Sequence, residues 1–412
     1  MKKVIAMVCA AAMTVSAVPM SVYAEGNEEV SGIITIWEHD FNVEDSLISV
    51  IEGFSEAYPN VEVEYEIKAD GDYYSLLQTA LQSGDGPDLF WTHGNATGTM
   101  ADLVSNGVCA DLKDDVDYSF ISEEAMDLAV IEEGIYSVPW LTLDTRTCFY
   151  NKDMFEENGW EVPKTFSEFE TLLATIKEAG ITPIAMAYAP WSLLFCYEPM
   201  LAGYDKDYTM GLSDYSVKAT DQPARDAMQK MVDWANEGYF GDNWLGVVEN
   251  SSQILAFTTG NAAMNIAGSW DAATISLNNP DLNYGAFAIP AEDGTTGLVG
   301  TSSNGFSVNA ASENLEAAKA FADYCATKDA QTRWVQGMGA VSASAEIEAS
   351  SAVAQEISES GQGNVYRSWQ NVLSSYSTSG NASLYWEQDF PKIFTGEMSV
   401  DELMDEIAAE ME

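Results

Sequence analysis

The residues best suited to chemistry in this chain are aromatic rings and carboxylates placed where apolar runs stop. Ile33-Ile34-Thr35-Ile36-Trp37 is a β-rich run that ends at Glu38-His39-Asp40, and Leu89-Phe90 leads straight into Trp91. Ala262-Ala263-Met264-Asn265-Ile266-Ala267 ends at Gly268-Ser269, with Trp270 next. A carboxylate at the end of a strand can accept from two hydroxyls at once, while an indole covers a flat C–H face. Such a mixture suits a neutral polyhydroxylated ligand, whose rings have C–H faces and hydroxyl edges. Arg146, positive charge in a chain with little of it, and Asn304 in Ser303-Asn304-Gly305 are further polar candidates. The same acids admit a second chemistry, in which Glu38 or Asp40 works with Asp144 as the carboxylate pair of a glycoside hydrolase. Acids are so common here that a pair of this kind is expected by chance, and no catalytic residue is assigned. His39 and His93 are the only histidines, and both read as solvated loop residues.

The elements that must hold these groups follow from hydrophobic period. After the first strand a helix places Leu47, Ile48, Ile51 and Phe54 on one face, and Val61-Glu62-Val63-Glu64-Tyr65-Glu66-Ile67 then alternates strictly as a second strand. Strand, helix, strand repeats along the chain and implies doubly wound α/β lobes, whose ligands bind outside the carboxyl ends of the strands. Val138-Pro139-Trp140 is expected to stop a strand because proline cannot donate to a ladder. The polar run Thr142, Asp144, Thr145, Arg146, Thr147 then reads as a crossing into a new strand at Cys148-Phe149-Tyr150. Thr165 and Glu168 form a capping-box pattern ahead of Phe169, Leu172, Leu173 and Ile176, and Gly180 ends that helix.

Composition narrows the function classes. There are 17 Lys and Arg against 65 Asp and Glu, a formal net charge of −48. Nucleic acid and anionic lipid are excluded as general partners, because both require clustered cations. Neither the acid run from Asp111 to Asp117 nor Asp205-Lys206-Asp207 has the alternating ligands and glycine turn of a calcium loop. Cys109, Cys148, Cys196 and Cys325 are far apart without a CxxC, so no zinc or redox motif is supported. No metal and no cofactor is expected. Residues 1–24 read as a signal peptide: Lys2 and Lys3, an apolar stretch from Val4, then Val22-Tyr23-Ala24 as the cleavage site. The protein is thus expected to be exported, to the periplasm, the cell surface or the medium. Cys9 follows only a short apolar stretch, so the chain is not read as a lipoprotein.

Five segments in order carry a family resemblance. They are Leu81-Gln82-Ser83-Gly84-Asp85-Gly86-Pro87-Asp88-Leu89-Phe90-Trp91, Tyr150-Asn151-Lys152-Asp153 through Pro163-Lys164-Thr165, Gln253 to Trp270, Ser302 to Val308 with Glu316 to Phe321, and Gly396 to Leu403. The chain resembles the extracellular solute-binding proteins of sugar-importing ABC transporters, the maltose-binding-protein-like class. The resemblance implies an α/β protein of two doubly wound lobes joined by a multi-crossing hinge, the class II periplasmic-binding-protein arrangement. The lobes are expected at 30–143 plus 284–336 and at 144–283 plus 337–412. It implies that a sugar is captured between the lobes and passed to the permease subunits of the transporter. Trp91 and Trp270 match the family's stacking tryptophans, Asp144 matches a carboxylate contact, and Trp191 and Trp386 fall where further stacking aromatics are implied. Trp369 reads equally as a stacking or a core residue, whereas Trp160, Trp234, Trp244 and Trp334 read as packing. The expected ligand is a neutral mono- or oligosaccharide, the expected state a monomer, and the expected activity binding without catalysis. A polyamine, peptide or other solute is the competing ligand class.

Overall fold

The computed structural model describes residues 3–4, 29–68, 70–94, 98–376 and 382–411. The expected signal peptide lies outside the described residues apart from Lys3–Val4, which pairs antiparallel with Tyr65 and Glu64. The chain forms two compact units, Met1–Thr142 with Ser302–Met338 and Leu143–Thr301 with Gly339–Glu412. It therefore passes from one to the other three times.

Unit 1 begins with β1 (Gly32–Glu38), α1 (Glu44–Ala57), β2 (Val61–Ile67), α2 (Asp70–Ser83) and β3 (Leu89–Trp91). β1 lies parallel to both β2 and β3, so Glu38 and Trp91 stand at carboxyl ends of adjacent parallel strands. The alternation in β2 does what its period dictates: Val61, Val63 and Tyr65 are buried. α1 buries Leu47, Val50, Ile51 and Phe54 along one stripe, while the expected Ile48 is only half-buried beside it.

β4 (Val138–Asn151) carries the chain out of unit 1 and differs from expectation. It is a single 14-residue strand that runs through Pro139 and the polar residues without a break. Two backbone groups beside Pro139 are served by a side chain. Gln331 accepts from the Leu141 N–H at 2.7 Å and donates to the Pro139 carbonyl at 3.0 Å. Farther along, Thr145 donates to the Val299 carbonyl at 3.0 Å and Thr147 to that of Phe287 at 3.4 Å, which lets hydroxyls lie buried in the strand.

Unit 2 continues with α3 (Phe166–Glu178), β5 (Thr182–Ala185), α4 (Pro190–Tyr204), β6 (Ala262–Gly268), α5 (Asp271–Asn278) and β7 (Tyr284–Phe287). Thr165 caps α3 by accepting from the Glu168 N–H at 3.2 Å. The returning Glu168 carboxylate takes the Lys164 N–H at 2.8 Å rather than that of the cap residue. β6 pairs antiparallel with β4 and parallel with β5. β7 zips antiparallel onto Asn151–Cys148 of β4. That pairing corrects the expected boundary: residues 284–301 belong to unit 2, because β7 buries Ala286 and Phe287 against β4. β8 (Leu298–Val308) makes the return, its end pairing antiparallel with β3. α6 (Leu315–Cys325) and α7 (Lys328–Met338) complete unit 1. α8 (Trp369–Tyr376), α9 (Ala382–Asp389) and α10 (Val400–Glu410) close unit 2, the last opened by a full capping box of Ser399 and Glu402.

Candidate functional site

In unit 1 the candidates gather at the ends of β1 and β3. The Glu38 side chain is buried, and its Oε1 accepts from the His39 N–H at 2.8 Å and lies 2.6 Å from His39 Nδ1. Its Oε2 has no partner among the described residues. The His39 imidazole stacks on Trp91, with centroids 3.9 Å apart at 18°. His93 meets the same indole edge-on at 4.4 Å. Trp91 is therefore covered by imidazoles and 7% exposed, which corrects its expected place as an open stacking platform. The histidines are corrected with it: both lie in loops as expected, but they are half-buried against Trp91 rather than solvated. Burial, and then the neighbouring His39, hold His93 down at about 3. The Tyr74 hydroxyl accepts from the His93 N–H at 3.2 Å and lies 2.5 Å from His93 Nδ1.

Two further unit 1 candidates serve the fold. Asp40 caps the turn Phe41–Val43 by accepting from the Asn42 N–H at 2.8 Å. Asn304 is 3% exposed; it accepts from the Ser137 hydroxyl at 2.9 Å and donates to the Thr92 carbonyl at 3.0 Å and hydroxyl at 2.7 Å. It ties β3, β4 and β8 together rather than reaching a ligand surface.

In unit 2, α4 brings Trp191, Phe195 and Glu198 to one face at i, i+4 and i+7. Trp191 sits in the first turn beside Pro190 and is 42% exposed. Phe195 links it to Trp270, with ring centroids 5.6 Å from Trp191 and 5.4 Å from Trp270. Trp270 is half-buried at the start of α5. A Cβ on Gly268 would fall inside the Trp270 indole, so the missing side chain is what lets the ring fold back over the end of β6. Arg146 lies beneath, its guanidinium 4.5 Å from the Phe195 ring centre and 5.4 Å from that of Trp270. Its Nε donates to Glu198 at 3.0 Å, and a terminal N–H donates to the Asp144 carbonyl at 3.4 Å. Glu198 is buried and also accepts from the Gln370 N–H at 3.0 Å. Burial pushes its carboxyl up, against the pull of Arg146 and the Gln370 amide.

Two expected tryptophans are not surfaces at all. Trp369 is 1% exposed and donates to the Ala219 carbonyl at 2.8 Å, which anchors it in the core. Trp386 is fully buried in an edge-to-face contact with Trp191, centroids 4.5 Å apart at 72°, so it supports Trp191 instead of stacking on a ligand. Asp144 is half-buried beside Arg146. Phe195 and Glu198 were missed by sequence reasoning. The helical spacing from Trp191 to Phe195 and Glu198 is the signal that could have found them.

The sequence matches the family model described as bacterial extracellular solute-binding protein over residues 41–332. This chain belongs to that family. The multiple sugar-binding protein of Streptococcus mutans is 26% identical over 297 residues, 70% of each chain. The diacetylchitobiose binding protein DasA of Streptomyces coelicolor is 27% identical over 301 residues, 70% of this chain and 68% of the relative. Among solved structures, a chitin oligosaccharide binding protein superposes with a TM-score of 0.75 at 20% identity, covering 92% of this chain and 98% of the other. The family member thus has the fold of the sugar-binding proteins of ABC transporters, as the motif order implied. Family members of this kind act outside the cytoplasm, and no helix among the described residues is long and apolar enough to cross a membrane.

Proposed function

We propose that this protein captures a neutral sugar or oligosaccharide outside the cytoplasm and delivers it to the permease subunits of an ABC transporter. The observation that carries the reading is the unit 2 aromatic group, in which exposed Trp191 and half-buried Trp270 flank Phe195 next to the half-buried Asp144. Indole faces take the C–H surface of a pyranose, and a carboxylate takes its hydroxyls. On unit 1, Glu38 is the candidate acceptor, because one of its oxygens has no partner among the described residues. The names of the relatives support the same ligand class, since they bind multiple sugars and diacetylchitobiose. The protein is proposed to act as a monomer and to return its ligand chemically unchanged.

The test is a thermal-shift and calorimetric screen of the leaderless protein against mono- and oligosaccharides, polyamines and short peptides. A ligand that binds only the folded state raises the melting temperature with its occupancy. Sugars are expected to raise it, and the best of them to be recovered intact by chromatography. Stabilisation by polyamines alone would overturn the sugar reading, and shorter sugar products would return the hydrolase reading.

A further inference from the structure

Arg146 and Glu198 form an ion pair whose side chains are 8% and 0% exposed. Sealing two charges away from water is costly, and a pair of apolar residues of similar volume often serves stability as well or better. The pair therefore calls for a reason beyond holding unit 2 together. The geometry supplies one. Glu198 takes Nε of the guanidinium and, through its other oxygen, the Gln370 N–H. The guanidinium held in this way lies over both Phe195 and Trp270. Trp270 also lies over Gly268, whose missing side chain leaves room for the ring. Arg146 is itself too enclosed to offer its donors freely to a ligand.

We propose that Glu198 is a positioning residue, which acts through Arg146 to hold the Trp270 indole in the orientation that receives a sugar ring. This inference rests on the sugar-binding reading for its ligand, but the orientation of the indole exists without one. Removing only Glu198 leaves Arg146 buried and unpaired and risks unfolding, so the decisive variant is the double replacement Arg146→Met with Glu198→Leu, which keeps the volume and removes both charges.

Two measurements are made on it. In the ligand-free protein, the near-ultraviolet circular dichroism contributed by Trp270 is obtained as the difference from Trp270→Phe, in the parent and in the double variant. The expected result is a changed Trp270 band at an unchanged melting temperature. In parallel, affinity for the best sugar of the screen is measured, and the double variant is expected to bind about tenfold more weakly. That loss should vanish when Trp270 is already alanine, because a residue acting through the indole has nothing left to position. A folded double variant whose Trp270 band matches the parent overturns the proposal whatever the ligand proves to be. So does an equal loss of affinity in the Trp270→Ala background. If no sugar binds the parent, the functional reading fails while the spectroscopic comparison still decides this one.

Discussion

Trp270 and Trp369 are both tryptophans in unit 2, and their surroundings assign them opposite sensitivities. Trp270 is half-buried over Gly268, so Trp270→Ala is expected to weaken sugar binding by about 1–3 kcal/mol while stability falls much less. Trp369 is enclosed and hydrogen-bonded to Ala219, so Trp369→Ala should cost roughly 3–5 kcal/mol of folding free energy. Calorimetric titration beside thermal melting separates the two; equal melting losses would place both rings in the core. His93 yields a prediction in pH. Its folded pKa is held at about 3, below the ordinary 6.5, so between these values the unfolded chain takes up a proton that the folded one refuses. Its contribution to stability is thus present above 6.5 and is lost as pH falls toward 3. Relative to the parent, His93→Gln is expected to flatten the stability curve in that window, by up to about 1.4 kcal/mol per pH unit. Parallel curves would mean that the ring titrates as it does in water. These residue-level roles were only partly legible. A strand-end tryptophan is visible in the sequence, but whether an imidazole already covers it, as His39 covers Trp91, depends on the path of the following loop.

The elements were more legible where local chemistry decides them. The alternation of β2, the stripe of α1 and the cap at Thr165 each rest on a few neighbouring residues, and each appears in the structure. β4 was misread because its continuity depends on a residue nearly two hundred positions away. Proline and a threonine-rich run look like a strand end when no partner is in view, yet Gln331 from α7 serves two backbone groups beside Pro139. Gln331→Leu should therefore leave the Leu141 N–H and Pro139 carbonyl buried without partners and destabilise the protein by roughly 2–4 kcal/mol. Denaturant unfolding measures this loss, and a change below about 0.5 kcal/mol would show that the strand needs no such support. Sugar affinity at a temperature where the variant is folded is expected to stay unchanged.

At the scale of the whole molecule, the charge of −48 and the proposed ligand lead to a joint expectation. Hydrogen bonds and ring stacking to a neutral sugar involve no net charge transfer from solvent, so affinity should change less than about twofold between roughly 50 and 500 mM salt. A polycation held by acidic side chains would weaken steeply over the same range, and that outcome would favour the polyamine class. The melting temperature should nevertheless rise with salt, since screening relieves the self-repulsion of so acidic a chain. The two-unit organisation was legible from motif order, whereas the boundary near residue 284 was not, because β7 looks the same in sequence whichever sheet it joins.

The three passages between the units also set the order in which the protein can be finished. A chain emerging amino end first would expose β1, β2 and β3 early, but β3 obtains its antiparallel neighbour only when Phe306 to Val308 appear. Trp140 likewise waits for Trp334, the ring it stacks on at 4.2 Å. The first half of the polypeptide cannot settle into its final form until three-quarters or more of the residues have been made, which keeps it threadable for most of its synthesis. A fragment ending before Ser302 should consequently leave open to hydrogen exchange the edge of β3 that β8 covers in the full chain, although every residue of that strand is present.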